Sequence, residues 1–214
     1  MNFKHALLSF LLVVAAVPMV AHAWWDDTWT ERRVVVLDTS ATGVETTAAV
    51  SGAVLPVRLH SGNFDFAVAN ADGSDIRFVA ADDKTPLKYH VERFDGANEL
   101  AVVWVQVPQI APKTAGQKVY VYFGNVEAPP ENVSAAASFD ASTSVVLHFR
   151  EGEARPLDAS ANANNSTTDI AVENAGLLGA SARFAQAPLV LAASPSLSLA
   201  AGGAFTFYRL GQVC

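Results

Sequence analysis

The chain has one cysteine in 214 residues, Cys214, at the last position. A single thiol excludes an internal disulfide framework and a cysteine-based zinc site. Cations are also few: 14 Lys and Arg stand against 21 Asp and Glu, a formal net charge of −7. That balance excludes nucleic acid as a partner, because a phosphate-binding surface needs an excess of positive charge. Charge of either sign is sparse at 16%, below the roughly 25% of an average globular protein. A charge-swollen disordered chain is therefore excluded as well. After the N-terminal segment no apolar run reaches the roughly 18 residues of a membrane-spanning helix. Catalytic signatures are missing too, with no HExxH, GxSxG or glycine-rich phosphate loop. The hydrophobic content of 51% includes 38 alanines, so the capacity to build a core is smaller than that figure implies.

What is present begins with an address. Lys4 follows the start methionine, Ala6–Val17 forms an apolar run, Pro18 breaks it, and Ala21-His22-Ala23 supplies small residues before Trp24. This three-part order predicts a secretory signal over residues 1–23, cleaved near Ala23, and a periplasmic or secreted mature protein. From Arg33 onward the chain reads as short strands: Arg33–Leu37, Val54–His60, Asp75–Ala80, Leu87–Phe94, Leu100–Val107, Val119–Phe123 and Val145–Phe149. Turn chemistry such as Ala71-Asp72-Gly73-Ser74 and Phe94-Asp95-Gly96 separates them. Nothing keeps helical spacing over three turns. The fold class is thus all-β, an antiparallel β-sandwich of jelly-roll-like type. Leu100–Val107 is almost continuously apolar, which predicts the central strand, ended by Pro108. Lys88–Phe94 alternates, which predicts an edge or half-exposed strand with His90, Glu92 and Phe94 on one face.

Between Ala128 and Thr143 the composition turns to Pro, Ala, Ser and Asn, marking a boundary. The domains expected are the signal at 1–23, a β-sandwich at 24–140, and a second, partial β-sandwich at 145–214. The second has too few residues to close two sheets, so a truncated or frameshifted reading frame is expected there.

Several motifs carry chemistry. Asp72 and Asp75 in the Asp72-Gly73-Ser74-Asp75 turn, and Asp158 and Asn162 in the Asp158–Asn164 loop, offer oxygens that calcium would accept. The first reads preferentially as a tight turn with Asx hydrogen bonds, the second as a polar surface loop. His90 and Glu92 lie two apart on one strand face, where a zinc or acid–base site would need His60 or His148 brought near by the fold. Trp25, Trp29 and Tyr89 are candidates for a glycan-stacking platform, with Trp104 assigned to the core. No residue is singled out as catalytic, and no cofactor is implied beyond calcium at those two loops.

In order along the chain stand Trp29 with Arg32 and Arg33, Leu55-Pro56-Val57-Arg58-Leu59, Asp72–Phe78, Leu87–Glu92, Val103–Pro108 and Val121–Asn125. This series resembles the envelope domain known as DUF2341 over roughly Trp24–Asp140. The segment from Val145–Glu151 through Phe205-Thr206-Phe207 is similar to the opening of a concanavalin A-like (laminin G-type) domain. Such a pair precedes channel helices in fusion proteins of the MotA/TolQ/ExbB proton-channel family. The resemblance implies a non-enzymatic exported binding module, the N-terminal extracytoplasmic part of a biopolymer-transport (ExbB-like) energy-transduction protein. Its partner would be an envelope protein or a glycan, and it would meet the membrane only through segments outside this chain. The alternatives are a secreted carbohydrate-binding lectin-like protein and a glycoside hydrolase fragment.

Overall fold

Alternation along the strands sets the architecture. In the computed structural model, which describes residues 24–131, 133–173, 176, 178–184, 188–199 and 201–207, strands β1 (Glu31–Leu37), β6 (Gln117–Phe123) and β3 (Arg77–Ala80) form one antiparallel sheet in the order β1-β6-β3. Strands β2 (Val50–His60), β5 (Leu100–Ile110) and β4 (Tyr89–Asp95) form a second, in the order β2-β5-β4. Along most of each strand every other residue points inward. Val35, Leu37, Phe78, Val119, Val121 and Phe123 from the first sheet meet Leu55, Val57, Tyr89, Val103, Val105 and Val107 from the second in one core. The result is the expected all-β sandwich. Among the described residues it has six strands in its two main sheets, two fewer than a full jelly roll. Within these two sheets only β4 and β5 are both consecutive in sequence and paired, so the other connections among the six strands cross between sheets. The predicted signal over residues 1–23 and the tail Tyr208–Cys214 lie outside the described residues.

β5 is central, as its apolar run predicts, and β4 is an edge. Two local expectations are corrected. Pro108 does not end β5, which continues to Ile110; Val107 pairs with Ala53 and Gln109 with Ser51. Gly52, at φ +64, sits opposite the proline, so the ladder loses its hydrogen bond at an edge strand that can bend there. Phe94 does not share a face with His90 and Glu92. The register of β4 shifts between Val91 and Arg93, so Glu92 and Arg93 together oppose Val102, and Phe94 returns to the core. The third correction concerns Val145–Phe149. Only Leu147 forms a bridge, to Asp158, and Phe149 lies at φ +53, where a strand cannot continue.

Both outer faces of the sandwich are partly covered, with Val34 and Val36 of β1 left exposed. Residues 24–29 and the loop after β6 lie on the first sheet, where Trp29, Val79 and Tyr122 are buried with Trp25, Tyr120 and Ala128 against them. Arg32 anchors that cover: it pairs with Asp83, and its guanidinium lies 4.7 Å from the Tyr120 ring centroid and 5.3 Å from that of Trp24. We expect Arg32→Ala to cost about 2 kcal/mol and to shift tryptophan emission to the red as Trp24 and Trp25 loosen. A denaturant midpoint and an emission spectrum check both.

The second sheet is covered by α1 (Ala135–Ser138), which packs on β4 and β5, and by the stretch through Glu151. Arg93 holds that stretch through Glu151 at 3.3 Å. Among the described residues beyond it, regular structure is sparse: a hairpin of β7 (Ala171–Glu173) and β8 (Ser181–Arg183), and one 3-10 turn at Pro195–Leu197. Phe205 and Phe207 are non-strand and largely exposed. Among the described residues no helix is long and apolar enough to cross a membrane.

Candidate functional site

The cover on the first sheet leaves a cleft of about 510 Å³. Residues 24–29 contribute Trp25, Asp26, Thr28 and Trp29 to it; the loop after β6 contributes Asn125, Glu127, Pro129, Pro130 and Glu131; the sheet side contributes Arg77 and Pro86. Its walls hold together through one buried carboxylate. Asp75, fully buried, accepts the backbone N–H groups of Asn70 (2.9 Å), Gly124 (2.6 Å) and Asn125 (3.2 Å). Its backbone carbonyl accepts the Trp29 indole N–H at 2.7 Å. Gly124 lies at φ +84, and a Cβ there would come within 2.9 Å of Val68, so glycine is required beside the carboxylate. The segment before β1, the turn before β3 and the loop after β6 therefore meet at Asp75.

Arg77 carries the second set of restraints. It points outward from β3 yet its side chain is only 7% exposed. Its guanidinium donates to the carbonyls of Ser74 and Ile76, both at 2.8 Å, and to that of Pro129. Its Nε lies 2.8 Å from Glu131, and the group stacks over Trp29 at 5.4 Å. Tyr89 completes the arrangement from below. Burial, with the Glu131 charge beside it, raises the phenol well above its ordinary value, so it stays protonated. It donates to the Ile76 carbonyl and contacts Glu131 at 3.0 Å.

Of the expected glycan residues, Trp25 and Trp29 are therefore brought together, with ring centroids 5.1 Å apart. Trp25 is half-buried, and Trp29 is 3% exposed with Arg77 already over its ring. Tyr89 is a correction: at 4% exposure it is no platform but positions Glu131. The calcium ligands are corrected as well. Both Asp75 oxygens face N–H donors, which a cation would repel. Asp158 is likewise occupied by the N–H groups of Val146, Ser160 and Asn164 and the Ser160 hydroxyl. Asp72 caps the N–H of Ser74 in an Asx turn, and Asn162 donates to the carbonyls of Thr143 and Ser144. The two loops belong to separate hydrogen-bond networks. Among the described residues no three His, Cys, Asp or Glu side chains are grouped to hold a metal ion.

A different polar cluster lies on the second sheet. The fold does bring His148 to His90: their Nε2 atoms are 3.1 Å apart. His148 Nδ1 lies 3.3 Å from Glu92, which also accepts the Trp104 indole N–H at 2.5 Å. Trp104 is on the outer face of β5, stacked 4.9 Å from His148, and Phe139 closes the cluster beside His90 at 5.5 Å. Burial lowers both histidines, to about 4 for His90 and about 3 for His148, with Arg150 and, for His148, its neighbour His90 adding to the effect. Burial raises Glu92. This cluster is walled by Trp104 and Phe139 and lines no part of the cleft.

Residues 72–165 match the family described as Domain of unknown function (DUF2341). No curated protein and no solved structure matches the chain. The DUF2341 match begins at the Asp72 turn and ends at Asn165, so it takes in β3 to β6, α1 and the Asp158 loop. Within it fall Asp75, Arg77, Glu131 and the whole His90–Glu92–Trp104–His148 cluster, while Trp25 and Trp29 lie before it. The DUF2341 segment thus supplies the sheet side and one loop of the cleft, and the chain ahead of it supplies the tryptophans. Sequence reasoning missed Arg77, Asp26, Glu127 and Glu131. One signal was available for the first: an arginine inside the apolar run Ile76-Arg77-Phe78-Val79-Ala80 has to be paired if it is buried.

Proposed function

We propose that the chain is an exported, non-enzymatic binding module that holds a saccharide in the Trp25–Trp29 cleft. The observation that carries this reading is the cleft itself, where a half-buried indole stands among carboxylates, a hydroxyl and an amide. An aromatic face with a few fixed polar groups is what a sugar ring needs, with its apolar C–H face and its hydroxyl edge. Hydrolysis has less support, although three carboxylates line the cleft. A glycosidase needs one carboxyl enclosed so that it stays protonated and a second one free to act. Here none of the three is enclosed: Glu131 is paired with Arg77, Asp26 is half-buried and Glu127 is exposed. In the setting that the resemblance implies, an extracytoplasmic part of an ExbB-like transducer with a concanavalin A-like continuation, the cleft would face cell-envelope glycans.

The test is a glycan array followed by titration of tryptophan emission on the full chain. We expect saturable binding that Trp25→Ala weakens at least about tenfold, with no released sugar on prolonged incubation and no effect of EDTA. Binding unaffected by Trp25→Ala, or steady release of reducing ends, would overturn the proposal.

A further inference from the structure

Charge narrows the ligand class, and this step rests on the saccharide reading above. We infer that the cleft selects saccharides bearing a free amino group. Three carboxylates and one cation line it, and the cation is spent. Arg77 is neutralised by Glu131 at 2.8 Å, gives further N–H donors to three backbone carbonyls, and occupies the Trp29 ring. Asp26 uses Oδ1 for the N–H and hydroxyl of Thr28, at 2.9 and 2.6 Å, which leaves Oδ2 available. Glu127 is exposed and its carboxylate has no partner among the described residues. Two negative charges thus border the cleft with no cation to match them.

The aromatic side of the cleft agrees with this. Trp29 already carries a cation, whereas Trp25 carries none. An ammonium placed against Trp25, with Asp26 and Glu127 beside it, gains both attraction to the ring and charge-assisted hydrogen bonds. N-acetylation of the same sugar removes the charge and both gains, and an anionic sugar is repelled. Ring stacking alone is shared by all three, so charge provides the discrimination.

The test compares glucosamine trimer, N-acetylglucosamine trimer and trilysine on the full chain at two salt concentrations. Short oligomers are needed because a chain of net charge −7 attracts any polycation weakly. Glucosamine trimer is expected to bind about tenfold more tightly than its acetylated form. Glu127→Gln, at an exposed position that the fold does not use, should remove most of that difference, and Trp25→Ala should remove binding of both. Equal binding of the two trimers would overturn the charge inference and leave the saccharide reading standing. No binding of either would overturn both, and trilysine binding as tightly in a Trp25-dependent way would replace the saccharide with a cationic peptide.

Discussion

Asp75→Ala is expected to cost about 3–5 kcal/mol, a large share of the roughly 5–15 kcal/mol that holds a domain folded. The side chain is fully buried and its two oxygens accept three backbone N–H groups from two separate segments, Asn70 before β3 and Gly124-Asn125 after β6. Removing it leaves those donors in a dry site where each unpaired group costs about 1–3 kcal/mol. Asp75→Asn should rescue little. Its one oxygen can serve either Asn70 or the Gly124-Asn125 pair, and its amide nitrogen then points donors at donors. The same geometry predicts that calcium and EDTA leave the melting temperature unchanged. Thermal and urea unfolding of the two variants, with and without EDTA, measures all of this. A wild-type melt lowered by several degrees in EDTA would show that these oxygens hold a metal instead.

Asp75 also marks the point where the sequence stopped being readable. Strand positions came through because alternation is local: Val35 and Leu37, or Val119, Val121 and Phe123, declare their inward face without reference to any other strand. The run from Leu100 to Val107 announced a central strand by the same logic. The covers did not come through. Residues 24–29 and 135–151 have no periodicity, because they cross the outer faces as extended chain and a four-residue helix. What the second of them buries is polar, and so it looked solvent-facing. His90 and Glu92 show this well, since both are on an outer face yet enclosed by His148 and Trp104 arriving from elsewhere. The bulge at Glu92 was equally silent, because it is a property of two strands in register rather than of one. In the cleft, the tryptophans were visible as residue types. The acids beside them depended on which loop lands where, and three of them were lost among 21.

That enclosed cluster makes the second large prediction, a loss of stability in acid. Both histidines are lowered, to about 4 for His90 and about 3 for His148, by burial first, with Arg150 acting on both and His90 acting on His148. In the unfolded chain each returns to about 6.5. Below that pH the unfolded state takes up protons that the folded state refuses, so stability is complete above about pH 6.5 and falls as the pH drops toward 4. Glu92 works in the opposite direction: its carboxyl is raised by burial, so the folded state accepts that proton earlier and returns part of the loss. Asp158 favours the charged form of His148, and Glu153 adds to the rise of Glu92, but neither reverses the sign. The net cost at pH 4 is expected to be about 3–5 kcal/mol. It should appear first as release of the 135–151 stretch, because two imidazolium rings cannot remain with Nε2 atoms 3.1 Å apart. His90→Phe keeps the ring packing against Phe139 and removes one proton site, so its urea midpoint should fall about half as far between pH 7 and 4.5. The histidine ring resonances of the wild type report the same thing directly: two of them should titrate near pH 4 or below. Two ordinary titrations near 6.5, or an unchanged pH slope in the variant, would mean that the pair does not hold the second cover in place.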